Sequence, residues 1–339
     1  MKRTRILKLL LAAIVATALM AAVAAFELYQ FAHQSSVRQN TIFRVNPGDS
    51  LHTISRRLER QGLVSSARKF SLIVRLYGLG SRLQAGEYEC EAGETPLEII
   101  ELLRSGRVKT YQVTIPEGFT MKEIGDLLAD GPCDREAFNR LVVDHEFMQE
   151  WGIQAASCEG YLFPSTYHYT RNTSCRQLLS LMLKTFNDQY QKISAGTAKP
   201  PAYHRHELVT LASIVQKEAG NEEEMPLIAA VIFNRLHKGM RLECDPTVIY
   251  GLGERFDGNL RKKDLRDSSP YNTYRHRGLP PGPICNPGAA ALRAVFSPAQ
   301  VDYLYFVSRN NGSHYFSSTL KEHNRAVNRF QKKKGERRK

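Results

Sequence analysis

The first hydrophobic pattern along the chain is an uncharged apolar run from Leu9 to Phe26. At about 1.5 Å per residue, a helix of this length covers the roughly 30 Å hydrocarbon core of a bilayer. Basic residues precede the run, so the positive-inside rule places residues 1–8 in the cytoplasm and the chain after Phe26 across the membrane. The length favours an uncleaved anchor at 9–26, and the small residues at 22–25 leave a cleaved signal peptide as the alternative.

Beyond this run, one pattern of apolar spacing occurs twice. Each copy has a strand-like lead-in, a Pro/Gly turn and an amphipathic helix with apolar residues three and four positions apart. Asp49 or Ser50 caps the first predicted helix and Thr120 the second, and a weaker third copy begins at Gly93 with Thr95 as its cap. The matching positions of the two clear copies are Gly48, Leu51, Ile54 and Leu58, and Gly118, Met121, Ile124 and Leu128.

A further helix is predicted from Glu207, with its apolar residues on one face and Gly220 as its C-terminal cap. Glu218 projects onto the apolar face, within about 20° of Leu211 and about 40° of Ile214. A carboxylate on a buried face near the negative end of a helix has a raised pKa, as a general acid needs near neutral pH. Glu218 is therefore the candidate catalytic residue.

Three more glutamates, Glu222 to Glu224, follow directly in the sequence. They precede Pro226, which favours the first turn of the next helix, where acidic side chains complement the positive helix end. We interpret them as helix-start charges without a chemical role.

Composition and charge limit the class of protein. The 339 residues are 42% hydrophobic, which is enough for two or three folded domains, and the mixture of patterns predicts an α+β fold. The net charge is +13, but Lys2–Lys8 and a basic tail at 331–339 together supply nine of these charges. The remaining +4 is ordinary for a globular surface and no nucleic-acid-binding motif accompanies it, so nucleic acid is not an expected partner.

The six cysteines face an oxidising space if the chain crosses the membrane. No CxxC pair and no H-E-x-x-H sequence is present, so neither a metal site nor another cofactor is expected. The sequence leaves open which cysteines form disulfides.

Several longer motifs follow one another between about residues 41 and 330. They are EGYLFPSTY at 159–167, ASIVQKE at 212–218, VIFNRL at 231–236, GMRLECDPTVIYGLG at 239–253, SPYNTY at 269–274 and GLPPGPICNPG at 278–288. This series resembles the MltG (YceG-like) family of endolytic murein transglycosylases. The resemblance implies an enzyme anchored in the bacterial inner membrane, with a periplasmic catalytic domain, that cuts new glycan strands internally and thereby ends their elongation.

The catalytic glutamate of that family falls on Glu218, and Gln216 stands where the family usually has glutamate. The resemblance also implies a catalytic domain at 150–330, preceded by a linking segment at 111–149. The segment at 41–110 resembles a LysM module through its lead-in strand and GDSL turn, which implies that it holds peptidoglycan.

Five residues of these motifs are predicted to contact the substrate. Tyr271, Asn272 and Tyr274 offer aromatic faces and an amide suited to sugar rings and N-acetyl groups. Asp245 and Glu159 complete the predicted set. The loop at 278–288 is either a wall of the cleft or a long structural connection.

Two other functions remain open at this point. A lysozyme-like hydrolase needs a second carboxylate, for which Glu159 and Asp245 are the candidates. A non-catalytic scaffold that binds glycan and recruits peptidoglycan synthases fits the anchor and the repeats, but it leaves the position of Glu218 unexplained.

Overall fold

The structure is a computed structural model that describes residues 2–197 and 203–332. The chain forms two compact units, the first made of residues 1–111 with 169–172 and the second of residues 112–168 with 173–339. Residues 112–149, predicted as a linking segment, belong to the second unit. The basic tail predicted at 331–339 lies outside the described residues from 333 onward.

The first unit joins a long N-terminal helix to a small α+β module. Its elements are α1 (Lys2–His33), β1 (Thr41–Val45), α2 (Leu51–Arg60), α3 (Ala67–Leu76), β2 (Gly86–Cys90) and α4 (Pro96–Ser105). The strands pair antiparallel, and the cross-strand pair Phe43 and Tyr88 packs with Phe70 of α3 in one core. Within α1, the segment Arg5–His33 contains an 18-residue stretch with a mean hydropathy of 2.6, and it is long and apolar enough to cross a membrane.

The second unit is mainly helical. Apart from Tyr111 and Tyr169, which belong to the first unit, it contains β3 (Tyr111–Thr114), α5 (Met121–Leu128), α6 (Arg135–Leu141), α7 (His145–Glu150), β4 (Thr166–Tyr169), α8 (Cys175–Ala195), α9 (Arg205–Glu218), α10 (Met225–His237), α11 (Asp245–Leu252), α12 (Ala289–Phe296), β5 (Tyr305–Ser308), β6 (His314–Ser317) and α13 (Leu320–Val327). β3 pairs with β4, and β5 pairs antiparallel with β6. The fold is thus α+β, as predicted.

The repeated pattern forms three strand–turn–helix copies, β1–α2, β2–α4 and β3–α5. Each turn contains a glycine with positive φ, and Ser50, Thr95 and Thr120 cap the three helices through their hydroxyl oxygens. Asp49, the alternative cap, instead accepts hydrogen bonds from Arg57 at 2.9 and 3.2 Å.

Helix α9 lies at the centre of the second unit, where it packs against α10, α11 and α12. Every residue from 208 to 215 is buried, so α9 is covered on all sides instead of being amphipathic. The predicted cap is also wrong, because α9 ends at Glu218 with Ala219 as its cap. Gly220 serves close packing: a Cβ there would lie 2.4 Å from the carbonyl oxygen of Gly312.

One disulfide joins Cys133, just before α6, to Cys175 at the start of α8. The other four cysteines are buried thiols. The bond closes a loop over a sequence separation of 42 residues.

Candidate active site

Glu218 is the last residue of α9, and its side chain is partly exposed. Desolvation by the surrounding protein, followed by the negative charge of Asp245, raises the pKa of Glu218 to about 7. A hydrogen bond with the Cys244 thiol and the positive charge of Arg235 act in the opposite direction. The carboxyl group is therefore protonated in a large share of molecules near neutral pH, as a general acid requires.

Asp245 is the first residue of α11, and its exposed carboxylate accepts a hydrogen bond of 2.7 Å from the hydroxyl of Tyr274. The neighbouring Thr273 fixes this arrangement, because its hydroxyl oxygen accepts from the backbone N–H of Cys244 at 3.0 Å and lies 2.8 Å from the hydroxyl of Thr247. Two of the predicted substrate-binding residues, Asp245 and Tyr274, thus lie together beside Glu218.

Asn272 has a structural position that sequence reasoning did not anticipate. It is 0% exposed, and its amide nitrogen donates to the carbonyl oxygens of Leu265 at 3.1 Å and Asp267 at 2.8 Å. Its amide oxygen accepts from the backbone N–H of Tyr274 at 3.0 Å. Because all of these groups are paired within the protein, Asn272 shapes the loop that carries Tyr274.

Glu159 is likewise enclosed, at 4% exposure. Its oxygens accept hydrogen bonds from the backbone N–H of Met121, the amide of Asn286 and the hydroxyl of Tyr250, at 3.0 to 3.1 Å. Burial raises the pKa of Glu159 to about 7, against the hydrogen bonds from Met121 and Tyr250, which lower it. Glu159 therefore joins three distant segments of the second unit.

Tyr271 is partly exposed and packs against Tyr250, with ring centroids 4.8 Å apart. Gly251 allows the loop that carries Tyr271 to approach α11, since a Cβ there would lie 2.5 Å from the hydroxyl oxygen of Ser269 and 3.2 Å from Cβ of Tyr271. Of the two tyrosines predicted to stack on sugars, Tyr271 packs on Tyr250, which is hydrogen-bonded to Glu159. Tyr274 is hydrogen-bonded to Asp245.

The Pro/Gly-rich loop at 278–288 is mostly buried and bonded along α9. The hydroxyl of Ser213 accepts from the N–H of Ile284 at 3.0 Å, and the amide oxygen of Gln216 accepts from the N–H of Gly288 at 2.9 Å. These contacts support the interpretation of the loop as a structural connection that holds the helix carrying Glu218. They also give Gln216 a positioning role. A glutamate could equally fill this role, because its carboxylate also has an acceptor oxygen.

Arg235 was not singled out from the sequence, although it lies in the motif at 231–236. Its guanidinium donates to the carbonyl oxygens of Leu304 at 2.6 Å and Leu242 at 2.8 Å, and it stacks on the ring of Tyr305 at 5.2 Å. Arg235 thus fixes the segment that leads to Cys244 and contributes a positive charge that acts on Glu218.

Glu224 is more than a helix-start charge. It accepts a hydrogen bond of 2.8 Å from the backbone N–H of His314, and its other oxygen lies 2.7 Å from Nδ1 of the same histidine. Asn221 donates to the carbonyl oxygen of Gly312 at 3.1 Å. These contacts hold the β5–β6 hairpin against the segment that follows Glu218.

A cavity of about 640 Å³ lies against Tyr274. Its other lining residues are Leu265 and three arginines: Arg241, Arg266 and Arg275. One wall of this basic cavity is therefore the tyrosine that binds Asp245. Among residues 2–197 and 203–332, no cluster of three or more His, Cys, Asp or Glu side chains is arranged to hold a metal ion.

The chain is similar to several known proteins. The chain is 35% identical over 306 residues to the endolytic murein transglycosylase of Bacillus subtilis, covering 85% of this chain and 84% of that protein. It is 28% identical over 312 residues to the Streptococcus pneumoniae R6 protein of the same name, of which it spans 56%. A crystal structure of a yceG-like protein from Listeria monocytogenes aligns with a TM-score of 0.56 and 31% identity, covering 85% of this chain and 98% of that one. The YceG-like family model matches residues 43–329, and the chain belongs to this family.

Proposed function

We propose that this protein is an endolytic murein transglycosylase, which cuts the β-1,4 bond between N-acetylmuramic acid and N-acetylglucosamine within glycan strands. The observation that carries the proposal is the raised pKa of Glu218, which stands at the end of the central helix beside Asp245. Membership of the YceG-like family and the names of the curated relatives support the same activity.

The mechanism needs one group that first gives and then accepts a proton. Protonated Glu218 gives its proton to the glycosidic oxygen, and the N-acetylglucosamine end departs as an alcohol. The resulting carboxylate accepts the proton of the C6 hydroxyl as that oxygen bonds to C1 of N-acetylmuramic acid. The product is a 1,6-anhydro end, and Glu218 returns to its protonated form without consuming water.

Asp245 and Tyr274 set the electrostatics of this cycle. The negative charge of Asp245 favours the protonated form of Glu218 before cleavage, and Tyr274 holds Asp245 in place through its hydroxyl. The same charge stabilises the positive charge that develops at C1 in the transition state. Tyr271 and the ring of Tyr274 provide apolar faces for neighbouring sugars.

The basic cavity suits the anionic parts of the substrate, which are the carboxylates of the peptides attached to N-acetylmuramic acid. A double variant, Arg241→Gln with Arg266→Gln, should raise KM for peptide-bearing strands and leave KM for peptide-free strands unchanged. Arg255→Gln is the matched control, because Arg255 is an exposed arginine paired with Asp267 and does not line the cavity.

The remaining architecture fits an enzyme held at the outer face of the inner membrane. We propose that α1 spans this membrane, that the module at 41–110 holds glycan in the manner of a LysM domain, and that the second unit works in the periplasm next to peptidoglycan synthases. The disulfide between Cys133 and Cys175 supports this location, because disulfides persist in oxidising compartments.

Mass analysis of the products of purified glycan strands tests the activity. The expected new ends are one water lighter than hydrolysis products, and Glu218→Gln should abolish cleavage while glycan binding is retained. Reducing ends would identify a lysozyme-like hydrolase, and no cleavage by folded wild-type protein would leave a binding scaffold.

A further inference from the structure

The first unit exposes apolar side chains that its core does not explain. Leu72 in the middle of α3, Leu76 at its end and Tyr77 just after it are 48%, 69% and 62% exposed. Scattered exposed leucines are ordinary on soluble domains, but three large apolar side chains within six residues form a patch. We call this patch, with its flanking bases Arg68 and Arg75, the α3 face.

The α3 face lies against the end of the N-terminal helix. A cavity of about 330 Å³ is lined by Ala25 and Tyr29 of α1 and by Leu76 and Tyr77 of the α3 face, among other residues. Further along, Phe31 of α1 is buried in the core of the same unit. The position of α3 relative to α1 is therefore fixed by packing within one unit.

The position of this contact along α1 indicates where α3 lies relative to the membrane surface. Ala25 belongs to the apolar run that fills the hydrocarbon core, and Tyr29 lies only about 6 Å further along the helix axis. An ion pair of 3.1 Å between Glu27 and Lys69 marks the same level, where charged groups meet lipid headgroups. Leu76 and Tyr77 stand beside these residues and hence at the boundary between headgroups and acyl chains.

The composition of α3 matches that location. At about 100° per residue, Leu72 and Leu76 lie on one side of the helix, with Arg68 and Arg75 at its edge. The helix contains no acidic residue, and both arginines are exposed. Apolar side chains bordered by bases, with a tyrosine at the end, are the pattern of a helix lying in a membrane interface.

We propose that the α3 face inserts into the outer leaflet of the membrane that α1 spans. The proposal rests on the membrane anchor put forward above. If α3 also contacts the membrane, two contacts, α1 and α3, fix the orientation of the proposed glycan-binding module relative to the bilayer. A module attached through α1 alone would be free to rotate. The Leu72 and Leu76 side chains enter the acyl region while Arg68 and Arg75 reach the lipid phosphates.

Depth-dependent fluorescence quenching on the full-length protein tests this. The chain contains a single tryptophan, so Tyr77→Trp adds one reporter above the wild-type signal. In vesicles of phosphatidylcholine and phosphatidylglycerol, replacing the lipids by brominated ones should remove most of the added emission. Ile42→Trp is the matched control, because Ile42 is an exposed apolar residue of the same unit, on β1, and its added emission should persist.

Flotation of the same vesicles after an alkaline wash tests the membrane anchor α1 separately from the insertion of the α3 face. Loss of protein from the floating vesicles would mean that α1 is not an anchor. Retained protein with unquenched Tyr77→Trp would overturn docking of the α3 face and would leave it free for a protein partner. A second variant, Leu76→Asp added to Tyr77→Trp, should reduce the quenching without releasing the protein; quenching that Leu76→Asp leaves unchanged would also count against the proposal.

Discussion

Asp245→Asn is the most informative single substitution in the site, because it removes a charge and keeps the shape. An asparagine oxygen can still accept the hydrogen bond from Tyr274, which measures 2.7 Å in the structure. The negative charge that raises the pKa of Glu218 disappears, so Glu218 should lose its proton at lower pH.

The size of the effect follows from the causes of the shift. The pKa of Glu218 rises from 4.5 to about 7, and burial is a larger cause than Asp245. Asp245 therefore supplies less than half, and because its carboxylate is exposed, water screens it further. A decrease of about 0.5 to 1 pKa unit is expected, which is about 0.7 to 1.4 kcal/mol.

The assay is the pH dependence of kcat/KM for strand cleavage. Since the proton donor must be protonated, activity falls as pH rises through the pKa of Glu218, and Asp245→Asn should move this alkaline limb to lower pH. The lost transition-state stabilisation by Asp245 slows the variant equally at every pH, and the smaller protonated fraction of Glu218 should slow it roughly three- to eight-fold further at about pH 7.5 than near pH 5. Tyr274→Phe is the control that removes the hydrogen bond and keeps the charge. An alkaline limb unmoved by Asp245→Asn would refute the electrostatic coupling.

Three further outcomes are expected. Because the folded state raises the pKa of Glu218 from 4.5 to about 7, the free energy of unfolding that this group supplies is fully present only below about pH 4.5 and is lost as pH rises to about 7. Glu218→Gln should therefore be more stable than wild type by about 3 kcal/mol at pH 8 and by about 1 kcal/mol at pH 5. Chemical denaturation at the two pH values measures this, and an equal difference at both would contradict it. Asn272→Ala should lower the free energy of unfolding by about 3 kcal/mol, because it leaves buried backbone groups unpaired; a raised KM with unchanged stability would show instead that Asn272 contacts the sugar. Replacing Cys133 and Cys175 by serine should cost about 4 kcal/mol for a loop of this length, and unchanged stability under reducing conditions would count against the bond.

The local patterns could be predicted from sequence because each depends on neighbours within a few residues. The three strand–turn–helix copies illustrate this, since Gly48 and Gly118 need positive φ and Ser50 and Thr120 cap the helix immediately after them. Glu218 could be predicted as the candidate residue in the same way, because its angle on α9 places it close to Leu211 and Ile214. Its raised pKa is consistent with that reasoning.

The roles of Asn272 and Glu159 could not be predicted, because they depend on contacts between distant segments. A motif containing asparagine between tyrosines looks suited to sugar, and nothing local indicates that its amide is consumed by the carbonyl oxygens of Leu265 and Asp267. The pair of Cys133 and Cys175 was hidden for the same reason, since six cysteines allow many pairings.

The hydrogen bonds of Glu159 join segments that lie far apart in the sequence. They connect Glu159 to Met121, Tyr250 and Asn286, across 38, 91 and 127 residues of chain. Contacts of such long range form late, after most of the intervening chain is available. The network around Glu159 is therefore among the last parts of the second unit to form, and a chain that ends before residue 286 cannot complete it.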